Sequence, residues 1–249
     1  STHSMRNEIL HGFLIHHRKY RERSHIVHLF TEEYGRVDGI LRQMPPPQYQ
    51  PIILQATGKS ELKNFAKLEI LTRPVFFHGD AFFAGFYLNE VLLRLCPLEE
   101  AMPETFQQYH ITLAQLQHLV DQEHPNEFLK QILRQFEHVL LEELGYSLNF
   151  AIDSQQNEIL PQLKYQFQLN DGFIPVAHNS NATLAGESIL SMVHYEKGTE
   201  FNVEQLQLLA KLYRQMIASL LGDRPLKSRQ LWIQNAQTKS QSASQSQPN

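Results

Sequence analysis

FLKQILRQFEHVLLEELGYSLNF, residues 128–150, places apolar side chains at Ile132, Leu133, Phe136, Val139, Leu140 and Leu144. Spacings of three and four put them on one stripe of an α-helix. Asn126 stands where it can cap the start, and Gly145 can close the end in the left-handed conformation that other residues resist. The expectation is a buried central helix. Beside the stripe, Lys130 and Arg134 lie one turn apart, and Leu141 continues their line two turns on. A basic pair next to an apolar position suits an acidic peptide that ends in a hydrophobic side chain; it equally suits a solvated helix flank.

Working outward toward the amino terminus, the helical period disappears. Phe13–Ile15, Ile26–Phe30, Val37–Leu41, Ile52–Leu54 and Leu68–Leu71 are short apolar runs separated by polar, Gly or Pro breaks. Five short strands in about seventy residues fit a small closed barrel of the oligonucleotide-binding type, whose basic face and exposed aromatics can hold single strands. Tyr20, in an expected loop from Arg18 to Arg23, is the leading stacking candidate, with Tyr49 second. Phe13 and Phe30 are assigned to the core. Pro45 to Pro47 and Pro51 belong to loop or strand edge.

After the barrel the pattern returns to helices. Asp80 to Leu95 is one, stopped by Pro97, and Glu104 to Val120 is another with Phe106, Tyr109, Leu113 and Leu116 inward. Packing these two with the 126–144 helix would bury their aromatics. Residues 151–191 read as an irregular insertion with strand-like pieces at Lys164–Leu169 and Phe173–Ala177. Asn202 with Gln205 forms a capping box for a last long helix ended by Gly222. The fold class is therefore α+β: a five-stranded barrel at 5–75, a mainly α-helical domain at 80–234, and a polar tail, 235–249, expected to be disordered.

The composition of the 249 residues, 42% hydrophobic and 19% charged, is that of a globular protein, and no apolar run reaches the length of a membrane span. A cytoplasmic location is expected. The single cysteine, Cys96, permits neither an internal disulfide nor a cysteine zinc site, and Ser1–Ser4 receive no structural role. From Met5 to Arg73 there are 11 basic and 7 acidic side chains, against 11 and 19 in the remainder, within a net charge of −4. A basic front on an acidic body directs any polyanion to the barrel. The 13 histidines show no tight ligand spacing, Gly58–Ser60 lacks the first glycine of a phosphate loop because position 53 is Ile53, and no nucleophile turn occurs. No enzyme, metal site or cofactor is expected.

Five segments then share one order and spacing: FTEEYGRV (Phe30–Val37, with Glu22 and Ser24 before it), FYLNEVLLRL (Phe86–Leu95), LRQFEHVLLEELGYSLNF (Leu133–Phe150), GFIP (Gly172–Pro175) and PLKSRQLW (Pro225–Trp232). Together they resemble the RecO family of recombination mediators over nearly the whole chain. The resemblance implies an OB-fold barrel that binds single- and double-stranded DNA and anneals complementary strands. It further implies action with RecR on DNA covered by single-stranded-DNA-binding protein (SSB), promoting RecA loading in the pathway that includes RecF, with a nucleoid-associated location. Candidate DNA contacts are Arg18, Lys19, Tyr20, Arg21, Arg23, Arg36, Arg42, Lys59 and Lys63. The family docks the acidic, phenylalanine-terminated tail of SSB on its helical domain; the arginine of its LRxFE segment matches Arg134, with Lys130 and Leu141 added from helical geometry. Lys227 and Arg229 in PLKSR are secondary basic candidates. The chain departs from the family in two places. It lacks the four-cysteine zinc module that several members carry, and LRQMPPPQYQP (Leu41–Pro51) replaces a basic run, leaving Arg42 as its only charge. That second departure keeps open a different reading, a scaffold of barrel and helices that docks proteins with little intrinsic DNA binding.

Overall fold

Five strands close on themselves in the computed structural model, which describes residues 2–245. They are β1 (Met5–Arg21), β2 (Ser24–Thr31), β3 (Gly35–Leu41), β4 (Ile52–Gly58) and β5 (Leu62–Ile70). Their order is β1-β2-β3-β5-β4, with β4 returning to β1 and only β3–β5 parallel. This is the expected α+β arrangement of a barrel followed by a helical region. Alternate residues, among them Leu10, Leu14, Val27, Leu29, Val37 and Leu54, fill the barrel, as the two-residue period of a strand requires. Gly35 opens β3 at φ +64°, and a Cβ there would stand 2.0 Å from the Glu100 carbonyl oxygen. The glycine of GRV is thus required by close backbone approach.

The strands outrun their apolar runs, because backbone ladders continue through polar residues. β1 is 17 residues long although only Phe13–Ile15 reads as a strand. It pairs with β4 from Met5 to Gly12 and with β2 from Gly12 to Arg21. Its second half is therefore a sheet edge, held on one side. The expected Arg18–Arg23 loop is strand as far as Arg21, and only Glu22 and Arg23 form the turn.

Contacts divide the chain into two units, Ser1–Val120 with Arg224–Asn249, and Asp121–Asp223. The first unit includes more than the barrel expected at 5–75, since α1 (Asp80–Leu95), α2 (Pro103–Gln117) and α6 (Lys227–Gln245) belong to it. The reason lies on the outer face of the barrel. Phe13 and Phe30 point there, and their rings meet Phe106 and Tyr109 of α2 at centroid distances of 5.1 to 6.0 Å. α1 turns Ala81, Ala84 and Gly85 inward, whereas Phe82, one of the aromatics of this helix expected to be buried, is 48% exposed. The tail expected to be disordered from 235 continues α6 to Gln245, with no Gly or Pro to stop it; 246–249 lie outside the described residues.

The second unit contains α3 (Pro125–Glu143), a small sheet of β6 (Lys164–Gln168), β7 (Gly172–Val176) and β8 (Leu184–Ala185), then α4 (Gly186–Leu190) and α5 (Val203–Leu221). Within it α3 packs against α5. Asn126 does not cap α3: Pro125 takes the first helical position, where its fixed φ fits and its missing N–H is no loss. The other end is as expected. Gly145, at φ +99°, donates to the Glu142 carbonyl while Tyr146 donates to that of Leu141, the two bonds of a Schellman close. A Cβ at Gly145 would meet nothing within 4 Å. Gly145→Ala is therefore expected to reduce stability through backbone conformation alone, by about 1–2 kcal/mol, in a far-UV circular dichroism melt. α5 carries the expected capping box, with Asn202 and Gln205 each accepting from the other's backbone N–H. In the insertion, Asp153 organises a turn by accepting from the N–H groups of Gln155 and Asn157.

Candidate nucleic-acid and peptide interfaces

The free edge of β1 carries the first site. Arg18, Lys19, Tyr20 and Arg21 are all exposed there, and Arg23 is exposed in the turn that follows. Because side chains alternate along a strand, Arg18 and Lys19 point to opposite faces, so the ribbon is basic on both. A register shift between Lys19 and Arg21 bulges Tyr20 outward. The Tyr20 ring is 41% exposed, and the Arg21 guanidinium lies 4.9 Å from its centroid. Arg42 follows Leu41, whose partner across the sheet is His25, so it joins the same end of the barrel. Six of the nine DNA candidates thus converge on one exposed ribbon with one aromatic among them. Cations that displace counterions and a ring on which a base can stack are the chemistry of sequence-independent strand binding.

Three candidates do not belong to it. Lys63 is fully buried; its ammonium donates to the Ser60 carbonyl and pairs with the equally buried Glu99 at 3.1 Å. Arg36 forms two bonds to Asp38 and donates to the Leu93 carbonyl of α1, tying barrel to helix. Lys59 is exposed, but Gly58 pairs with Met5, so it sits at the opposite end of β1 from the hairpin tip. Tyr49 is also withdrawn: its ring is buried against Phe77 at 4.6 Å. Of the secondary candidates, Lys227 and Arg229 open α6. Glu90 accepts from the N–H groups of Lys227 and Ser228, and the Lys227 charge lies near His16 of β1.

Histidines on the ribbon formed no part of the expected site. His16 stacks on His28 across the pair at 5.7 Å, and His17 meets His25 edge-on at 5.9 Å. His28 Nδ1 and the Arg36 guanidinium share the Asp38 carboxylate. Burial alone would push that carboxyl up, but hydrogen bonds from His28 and Arg36 outweigh it and hold Asp38 below the usual range. Cross-strand register, which the linear sequence does not display, pairs these rings. Elsewhere His11, Glu32 and Glu33 bring donor atoms within 4.8 Å at the surface, where His11 already binds Glu33 through its N–H and Nδ1.

The second site lies in the other unit, on α3. Lys130 is exposed; Arg134 is partly buried, with its Nε bonded to Glu137; Leu141 is 1% exposed. The expected solvent-facing row is thus graded, and Leu141 serves as wall rather than as an open contact. That wall belongs to a cleft of about 420 Å³ bounded also by His138, Glu142, Tyr195, Lys197 and Tyr213. His138 Nδ1 and the Tyr213 hydroxyl are 2.6 Å apart, and His138 Nε2 lies 3.6 Å from Glu142. Burial lowers the pKa of His138 further than Glu142 raises it, and burial beside Glu137 and Glu142 raises that of Tyr213. Both shifts favour the neutral forms, a protonated tyrosine beside an uncharged imidazole. The cleft is an aromatic-lined hollow that carries Lys197 and Glu142 on its wall, with Arg134 about two turns before Leu141 on α3.

Comparison with known proteins covers both units. Residues 5–71 match the family model described as Recombination protein O N terminal, and residues 77–230 match Recombination protein O C terminal. The chain is 33% identical over 231 residues to the DNA repair protein RecO of Actinobacillus pleuropneumoniae serotype 7, covering 89% of this chain and 92% of that protein. It is 34% identical over 231 residues to that of Glaesserella parasuis serovar 5, covering 89% and 93%. To that of Pseudomonas aeruginosa strain LESB58 it is 35% identical over 228 residues, again covering 89% and 93%. With a barrel and a helical region that each match in sequence, the chain belongs to the RecO family.

Proposed function

We propose that this protein is a non-catalytic mediator of DNA repair and homologous recombination. It binds single- and double-stranded DNA along the β1–β2 ribbon and anneals complementary strands. With RecR it acts on SSB-coated DNA to promote RecA loading, in the pathway shared with RecF. The observation that carries this reading is the convergence of Arg18, Lys19, Tyr20, Arg21, Arg23 and Arg42 on one exposed end of the barrel. Cations on both faces of a ribbon neutralise phosphates, and that lets two like-charged strands approach. A strand-annealing assay with complementary fluorophore- and quencher-labelled oligonucleotides tests it: quenching accelerates with protein at low salt and returns to the spontaneous rate at high salt. No acceleration at any salt concentration would refute annealing.

The acidic tail of SSB docks on the Lys130–Arg134 flank, with its terminal aromatic side chain in the cleft beside Leu141. Supporting this are the two cations leading to an aromatic-lined hollow on the same helix. A charge reversal at Arg134 would set two carboxylates against each other, since Glu137 is 3% exposed. Arg134→Gln is the cleaner change. It is expected to weaken binding of a labelled acidic, phenylalanine-terminated peptide about 10-fold, with Lys130→Ala weakening it less. Unchanged affinity in both variants would place the peptide elsewhere.

A further inference from the structure

The two histidine pairs lie on the strands that carry Arg18, Lys19 and Arg21. Cross-strand register sets His16 opposite His28 and His25 opposite Lys19, with His17 two residues before Lys19 on β1. His16 and His17 are exposed, and His25 Nδ1 is buried with no hydrogen-bond partner. These rings occupy the stretch between the barrel wall and the arginines at the tip, the path that a strand must follow if it is held by Arg18 and Arg21.

Resting on the nucleic-acid reading above, we propose that His16, His17, His25 and His28 are further phosphate-contacting residues, and that this protein takes up protons when it binds nucleic acid. Each ring faces a defined set of charges. His16 faces His28 on β2, His17 and Arg18 on β1, and Lys227 on α6, whose backbone N–H is held by Glu90 of α1. His17 faces His25, and His28 faces Asp38 and, through it, Arg36 on β3. Apart from Asp38, and Glu90 behind Lys227, the groups named are cationic or protonatable. In the free protein, burial first and the neighbouring cations second lower the pKa of His16, and burial with His25 lowers that of His17. A polyanion laid on the ribbon reverses the balance: phosphate favours imidazolium, so the pKa of His16 and that of His17 rise on binding. A group whose pKa rises in the complex strengthens that complex fully below its free pKa, and the gain disappears as pH rises through the bound pKa. Binding therefore tightens from pH 8 toward pH 5.5. One histidine whose pKa rises by one unit yields about a 10-fold gain across that window, and two yield about 100-fold.

The test is fluorescence anisotropy of labelled oligo-dT with the full chain at pH 5.5 and 8.0 and constant ionic strength. It is applied to the wild type, to His16→Gln/His17→Gln, to His25→Gln/His28→Gln, and to Arg18→Ala/Lys19→Ala/Arg21→Ala. Emission of Trp232, the single tryptophan, stacked on Phe83 at 6.2 Å, reports whether the barrel unit is folded. The expected result is a wild-type affinity ratio of at least about 10 between the two pH values, falling toward 1 in a histidine pair variant and persisting in the arginine variant. A ratio near 1 in the wild type overturns the proposal. So does a ratio retained in both folded histidine variants, which would assign the pH effect to carboxylates elsewhere. The underlying reading fails separately, if the arginine variant binds like the wild type at pH 8.0.

Discussion

Lys63→Ala is expected to lower the unfolding free energy of the barrel unit by about 3–5 kcal/mol. Both Lys63 and Glu99 have fully buried side chains, 3.1 Å apart. Glu99 also accepts from the His3 N–H at 2.7 Å, and its own N–H donates to the Arg36 carbonyl at 2.7 Å. The pair clamps the segment after α1 to the base of the barrel, with Glu99 held at φ +56°, a region that non-glycine residues rarely occupy. Removing the lysine strands a buried carboxylate that one backbone N–H cannot compensate. Urea unfolding followed by Trp232 emission measures the loss, because that ring belongs to the same unit. The double variant Lys63→Met/Glu99→Leu should recover most of it, since replacing both charges removes the uncompensated one. A loss below about 1 kcal/mol in the single variant would show that Lys63 is not buried in solution, and would return it to the candidate DNA contacts.

Arg18→Ala/Lys19→Ala/Arg21→Ala is expected to weaken oligo-dT binding about 100-fold near 0.1 M salt. Single-stranded DNA releases about 0.7 counterion per phosphate neutralised, so each lost contact is worth about fivefold at that salt. The same loss should flatten the slope of log K against log salt by about 2. All three side chains are solvated at a strand edge, and none closes a core contact. The variant should accordingly keep the wild-type Trp232 emission and thermal midpoint. Anisotropy titrations at several salt concentrations provide both readouts, and an unchanged slope with a folded protein would place the phosphate contacts elsewhere.

How much of this could be read from the chain depends on whether the signal was local. The barrel was legible because five short apolar runs alternate with polar, Gly and Pro breaks, and Gly145 was legible because a positive φ selects glycine. The charges were not legible as a set. Lys63 and Lys59 look alike in sequence, yet one faces Glu99 in the interior and the other faces solvent; only the β3–β5 pairing and the chain after α1 decide between them. Arg36 and Arg42 differ for the same reason, since Asp38 and the Leu93 carbonyl claim the first. Tyr49 passes for an exposed ring until Gly85 of α1 gives it a seat. The four ribbon histidines carry no linear motif, because their pairing depends on antiparallel register across the hairpin turn. The cleft beside α3 likewise combines residues from 138 to 213, and only the Leu141 position on its wall was visible as a helical row.

The most direct test of the central claim, that the β1–β2 ribbon is an electrostatic nucleic-acid interface, is a salt titration of oligo-dT binding by the wild-type chain. With Arg18, Lys19, Arg21, Arg23 and Arg42 contacting phosphate, the slope of log K against log salt is predicted to be about −3.5, a loss of about 100-fold in affinity between about 50 and 200 mM salt. A slope near zero, or no binding at the lowest salt, would contradict it and would favour the barrel as a surface for docking proteins.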